Sequence, residues 1–171
     1  MTRLTPSAFE PRGKWPQPHR KPRMRLWSVR HAALMERLYA RFEDALRRSA
    51  PLMQRIGFAR LERPAAALEA GVKGFLFDCR MCGDCVLLKT GMSCPMNCPK
   101  GMRNGPCGGV RPNGNCEVYP EMPCVWVKAW EGSRAMRGGG AIAEVLPPLD
   151  HARKGSSTWL RLAREGRKAE K

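Results

Sequence analysis

The sequence predicts a small, irregular α+β fold: a metal-cluster-nucleated, cysteine-rich module with a preceding helical segment and basic flexible termini. Three observations predict it. All eight cysteines of the 171-residue chain lie between Cys79 and Cys124. Those 46 positions hold seven Gly and six Pro but only five Val, Ile or Leu, too little apolar surface to offset chain entropy. Helical periodicity precedes them, and both ends of the chain are strongly basic. The expected organisation is a basic Pro-rich arm over 1–27, a helical segment over 28–70, the cysteine-rich module over 71–150 and a basic C-terminal tail over 151–171.

The arm holds Pro6, Pro11, Pro16, Pro18 and Pro22 and no helical or strand period, so it is expected to be extended, with Trp15 as a possible anchor. From Ser28 to Ser49, Leu34, Leu38, Phe42, Ala45 and Leu46 recur at helical spacing, and Pro51 is expected to stop that helix. A short helix is expected over Leu52–Ile56, and a third beginning near Pro64. Gly74-Phe75-Leu76-Phe77 reads as a short buried strand or turn. After the cysteines, Val125–Met136 reads as a helix, Gly138-Gly139-Gly140 as a loop, and the stretch around Trp159, Leu160, Leu162 and Ala163 as an amphipathic helix.

The net charge of +16 lies mainly at the ends: residues 1–25 carry +6 and residues 151–171 carry +5. Such arms suit association with an acidic surface, nucleic acid or anionic lipid, and equally read as plain solvated termini. No aromatic interleaving or nucleic-acid-binding fold accompanies them, so nucleic acid is not the expected partner. No stretch approaches the roughly 18 apolar residues of a membrane span, and the first twenty residues have no apolar export core. A cytoplasmic location is expected.

The cysteine spacing is Cys79-x2-Cys82-x2-Cys85-x8-Cys94-x3-Cys98-x8-Cys107-x8-Cys116-x7-Cys124. Disulfides are disfavoured in a reducing compartment, and thiolates select zinc or iron-sulfur clusters. Three thiolates on one tight loop, Cys79, Cys82 and Cys85, suit the separated iron corners of a cubane better than one tetrahedral ion. Eight thiolates supply two four-ligand centres: two [4Fe-4S] clusters, or one cluster plus one Zn. Spacing alone does not say which later cysteine joins the first three. Met81, Met92, Met96, Met102 and Met122 are candidates for an apolar sheath, and Lys100, Arg103 and Arg111 for offsetting cluster charge. His19, His31 and His151 belong to no catalytic arrangement, and neither G-x-G-x-x-G nor a P-loop is present. The chain is therefore expected to carry no substrate chemistry of its own.

The run from Phe77 through Cys79-Arg-Met-Cys-Gly-Asp-Cys85, the stretch Cys94-Pro-Met-Asn-Cys-Pro-Lys-Gly-Met-Arg-Asn-Gly-Pro-Cys-Gly-Gly109, Cys116-Glu-Val118 and Cys124-Val-Trp126 closely resemble the MetV family. Glu144-Val-Leu-Pro-Pro-Leu-Asp150 and Ser157-Thr-Trp159 are similar to it as well. The resemblance covers roughly residues 70–160 and does not reach residues 1–50. MetV proteins are small iron-sulfur subunits of two-subunit methylenetetrahydrofolate reductases, and the module also extends some fused reductases. The resemblance implies a non-catalytic oxidoreductase subunit in one-carbon metabolism. It would carry electrons to or from the FMN or FAD of a separate catalytic barrel subunit, with an electron donor that is unknown. A zinc-stabilised nucleic-acid-binding protein and a non-redox structural subunit are the alternatives.

Overall fold

Residues 23–77 form three consecutive helices: α1 (Arg23–Arg30), α2 (Ala32–Ile56) and α3 (Phe58–Phe77). The computed structural model describes residues 23–166; the expected arm up to Pro22, Trp15 with it, and residues 167–171 of the tail lie outside the described residues. Residues 23–27, assigned to the arm, are helical instead. His31 separates α1 from α2, and Gly57 (φ +98) separates α2 from α3 while donating its N–H to the Met53 carbonyl at 3.0 Å.

Pro51 does not stop α2 and Pro64 does not start α3; both sit inside their helices. Proline removes one backbone donor and crowds the preceding turn, but α2 as a whole packs against α5, α3 and α4 and runs on through Pro51 to Ile56. The stripe read along α2 also divides. Ala32 and Met35 are buried, whereas Leu34 and Leu38 stand about half exposed. Gly74–Phe77, expected as a short buried strand or turn, is the last turn of α3, and its side chains diverge as helical geometry requires: Phe77 is 4% exposed and Phe75 66%.

From Asp78 to Cys124 the chain is irregular, apart from a 3-10 turn at Pro95–Asn97. The β part of the expected α+β class reduces, among the described residues, to two isolated antiparallel bridges, Val110 with Cys116 and Asn115 with Pro123. Too few β-branched residues lie here to build a ladder, and polar side chains tie the segment down instead. Asn97 donates to the Phe77 carbonyl at 3.0 Å, and Ser93 to the Val125 carbonyl at 2.9 Å. Asn104 both donates to the Leu146 carbonyl and accepts its N–H, at 2.9 and 2.8 Å.

α4 (Val125–Ala135) falls where periodicity placed it. The turn after it is gripped by Glu36 of α2, whose carboxylate accepts the N–H groups of Arg137 and Gly138, both at 2.8 Å. Gly138–Gly140, expected as a loop, leads into and opens a 3-10 turn over Gly139–Ala143. α5 (Thr158–Gly166) docks against α2 and α3, where Phe42 and Trp159 meet edge to face at 4.8 Å. No helix among the described residues is long and apolar enough to cross a membrane.

Candidate metal centre

The end of α3 builds the first cysteine loop. Asp78 takes a left-handed conformation (φ +55), its N–H reaching the Gly74 carbonyl at 3.1 Å, and the Cys79 N–H returns to the Lys73 carbonyl at 3.2 Å. This double closure throws the chain off the helix axis at the first thiol. Left-handed Met81 (φ +47) and Gly83 (φ +75) then coil the loop, so that Cys79, Cys82 and Cys85 face one cavity. Cys94 lines the same cavity. The Met81 N–H donates to the Cys79 sulfur at 3.3 Å.

A strap from Asp150 to Ser157 closes this cavity. The Gly155 N–H donates to the Met81 carbonyl at 2.8 Å, and Ser156 and Thr158 line the cavity wall. Gly83 lies so close to the Arg153 backbone that a Cβ there would collide with it. The strap is anchored on α3: Ser157 donates its N–H to Glu62 at 2.7 Å and its hydroxyl to Glu69 at 2.8 Å.

The other four cysteines form a second neighbourhood. Cys98, Cys116 and Cys124 share a buried cluster with Met122, Val125 and Trp126, and the charge of Cys107 acts on Cys98. The Cys116 N–H bonds to the Met122 carbonyl at 2.9 Å and the Cys124 N–H to the Gly114 carbonyl at 3.0 Å, folding 110–124 into a tight loop. All eight cysteines are free thiols. Among the described residues, no three His, Cys, Asp or Glu side chains stand in the closed arrangement of a single bound ion.

Burial works against ionisation of these thiols. It pushes the Cys79 thiol up to about 11, with the Met81 N–H opposing and the charges of Cys85 and Cys82 adding. Burial likewise raises Cys94, helped by Cys79, Cys85 and Cys82, and raises Cys98, helped by Cys107 and Cys116. Such sets become thiolates when cationic metal neutralises them.

The first cavity is also ringed by cations. Lys73, 1% exposed, pairs with Glu69 at 2.7 Å and donates to Thr158 at 2.7 Å. Arg103 lines the cavity, paired with Asp84. Arg25, 5% exposed, interacts electrostatically with Asp78 and, when that thiol is ionised, with Cys94. Buried cations around four thiols fit an anionic, thiolate-ligated group.

Of the charges singled out from sequence, Arg103 alone lines this cavity. Lys100 pairs with Glu117, and Arg111 is exposed. Lys73 and Arg25 were missed, although Glu69 and Lys73 stand at the i, i+4 spacing of a helical ion pair. Of the proposed methionine sheath, Met92 and Met122 are buried, while Met96 and Met102 pack at the cluster edges. Met81 lines the first cavity. His31 stacks on Trp27 at 4.5 Å, His151 sits exposed in a 3-10 turn, and His19 lies outside the described residues.

The family model described as Methylene-tetrahydrofolate reductase C terminal matches residues 58–152, a span containing all eight cysteines. The chain belongs to the methylene-tetrahydrofolate reductase C-terminal family. Comparisons with curated proteins and with solved structures find no match. In this member of the family, α1, α2 and α5 lie outside the matched span, yet Thr158 of α5 and the end of the strap help wall the first cavity.

Proposed function

We propose that this chain is the MetV-type iron-sulfur subunit of a methylenetetrahydrofolate reductase, passing electrons to or from the flavin of a separate catalytic barrel subunit. The observation that carries the proposal is the gathering of Cys79, Cys82, Cys85 and Cys94 on one cavity that Lys73 and Arg103 also line. Four thiolates match the ligand count of one [4Fe-4S] cluster, and the buried, unpartnered Nη1 of Arg103 offers a donor to an anionic group. Cys98, Cys107, Cys116 and Cys124 would hold the second centre, a cluster or a zinc ion. When bound, an iron-sulfur centre exchanges single electrons, which a flavin can gather into the two-electron reaction of the reductase.

The chain's own residues do the holding. The Met81 N–H donates to the Cys79 sulfur, a bond that favours thiolate and raises the reduction potential of a ligated centre. The strap and α5 limit access of water and oxygen to the first cavity. Family membership supports a reductase partner.

The test is anaerobic co-purification with the reductase subunit, followed by iron, sulfide, zinc and flavin counts. A brown complex whose visible absorbance bleaches with dithionite is expected. A colourless complex holding only zinc rejects the electron-transfer role. If Cys79→Ser leaves the complex assembled but stops electron delivery to the flavin, the purely structural alternative is rejected too.

A further inference from the structure

We propose that Arg103 sets the reduction potential of the centre held by Cys79, Cys82, Cys85 and Cys94, by fixing a guanidinium charge at the wall of their cavity. The inference rests on the reading of that centre as iron-sulfur.

Three features make Arg103 unlike a surface arginine. Its side chain is 10% exposed and lines the cavity. Two of its nitrogens are engaged: Nε donates to the Pro147 carbonyl at 2.7 Å, and Nη2 pairs with Asp84. The remaining nitrogen, Nη1, is buried without a hydrogen-bond partner. An orphaned donor on a buried cation is costly to leave, and an anionic group in the cavity is what would offset it.

Asp84, between Cys82 and Cys85 on the ligand loop, does not belong to Arg103 alone. Its second oxygen lies 3.6 Å from Arg161 Nη2, and Arg161 Nε lies 3.8 Å from Glu165, so Arg103 shares its one carboxylate. Burial keeps the Arg103 guanidinium from being screened by salt as a surface charge is. Near the second set of cysteines, Lys100 is one-third exposed and paired with Glu117, a pair that water screens. Reduction adds one electron to a centre, with no bond broken. A fixed nearby cation stabilises the reduced form more than the oxidised one and so raises the potential.

The test is a dithionite titration with redox dyes, followed by electron paramagnetic resonance, on the anaerobically purified full chain and its variants. Arg103→Gln is expected to lower the equilibrium constant for reduction of one centre about tenfold, about 59 mV for a one-electron couple, with the other centre unmoved. Arg103→Lys, which keeps the charge, is expected to stay within about twofold of the parent. Asp84→Asn, which removes the shared carboxylate, is expected to move the same centre in the opposite direction. If Arg103→Gln yields no folded protein, the Lys and Asn variants decide.

An unmoved potential in iron-loaded Arg103→Gln overturns the assignment. So does Arg103→Lys lowering the potential as far as Gln does, or Asp84→Asn lowering it. Each of these outcomes leaves the electron-transfer reading standing. Parent protein that holds zinc and no iron overturns that reading, and the role of Arg103 with it.

Discussion

Glu69 and Lys73, one turn apart on α3 and each 1% exposed, form a 2.7 Å ion pair whose two members are both hydrogen-bonded to the start of α5. Glu69 accepts the Ser157 and Thr158 hydroxyls and the Trp159 N–H. It acts as a cap supplied by another helix, with negative charge at the positive end of α5. Lys73 lies over the rings of Tyr39 and Trp159, 5.7 and 5.4 Å from their centroids. The pair thus joins α2, α3 and α5 beside the first cysteine cavity.

Removing one partner strands the other. Glu69→Ala is expected to cost about 3–5 kcal/mol, because it leaves a buried ammonium without its counter-charge. Glu69→Leu combined with Lys73→Met is expected to recover most of that loss. Thermal unfolding at matched metal loading measures both, and hydrogen exchange at Trp159–Ala163 shows whether α5 is the part released. Equal destabilisation by the single and double variants would refute the account.

The same carboxylate sets an acid limit. Burial pushes Glu69 upward, but Lys73 and the Thr158 and Ser157 hydroxyls more than offset this and hold it below its ordinary value of 4.5. A carboxyl lowered on folding contributes stability that is fully present above its unfolded value and is lost as pH falls through the lowered one. Docking of α5 is therefore expected to hold at neutral pH and weaken at the acid end, below about pH 4.5. In Glu69→Gln the fraction of docking lost to acid is expected to shrink, on a lower starting stability. Hydrogen exchange of α5 against pH would expose the error if its loss instead began near neutrality.

The grouping of cysteines predicts how their loss is shared. Cys79→Ser and Cys94→Ser are expected to abolish the same centre, although fourteen residues lie between them, while Cys98→Ser, four residues beyond Cys94, is expected to abolish the other. Metal and sulfide counts with resonance spectra distinguish the two patterns. Stripping all metal is expected to open residues 78–124, whose apolar content is too low to hold them. α1, α2, α3 and α5, which pack on one another, are expected to keep their far-ultraviolet helical signal.

The helices were legible where apolar residues recur at helical spacing, as in α2, α4 and α5. The errors arose where a local rule met tertiary packing. Pro51 and Pro64 read as boundaries because a proline removes a donor, yet both helices run through them and pack against neighbouring helices. Gly74-Phe75-Leu76-Phe77 reads as a short buried strand or turn because three consecutive apolar residues after a glycine carry no period. The eight thiols were legible from their crowding, but the pairing of Cys94 with the first loop depends on the turn at Thr90–Met92, where left-handed Met92 and Gly91 bring the chain back beside α4. The cations of the first cavity were hidden for another reason. Among 31 Lys and Arg residues, nothing local separates a buried Lys73 or Arg25 from a solvated one.

Gly83 ties the ligand loop to the strap, and replacing it tests whether the strap guards the first centre. At φ +75 any other residue pays roughly 1–2 kcal/mol in backbone strain, and here a Cβ also meets the Arg153 backbone. Gly83→Ala is expected to displace the strap, break the Gly155 to Met81 hydrogen bond and speed chelator removal of metal from the first centre at least tenfold. Gly101→Ala is the control: its φ of +64 imposes similar backbone strain, but nothing lies within 4 Å of the added methyl. Because Gly101 follows Cys98 and donates its N–H to the Cys98 carbonyl at 2.9 Å, its strain falls on the second set of cysteines. Release from the first centre is expected to stay at the parental rate in that variant. Equal acceleration of first-centre release by both substitutions would assign the effect to general loosening of the loops and remove the strap's protective role.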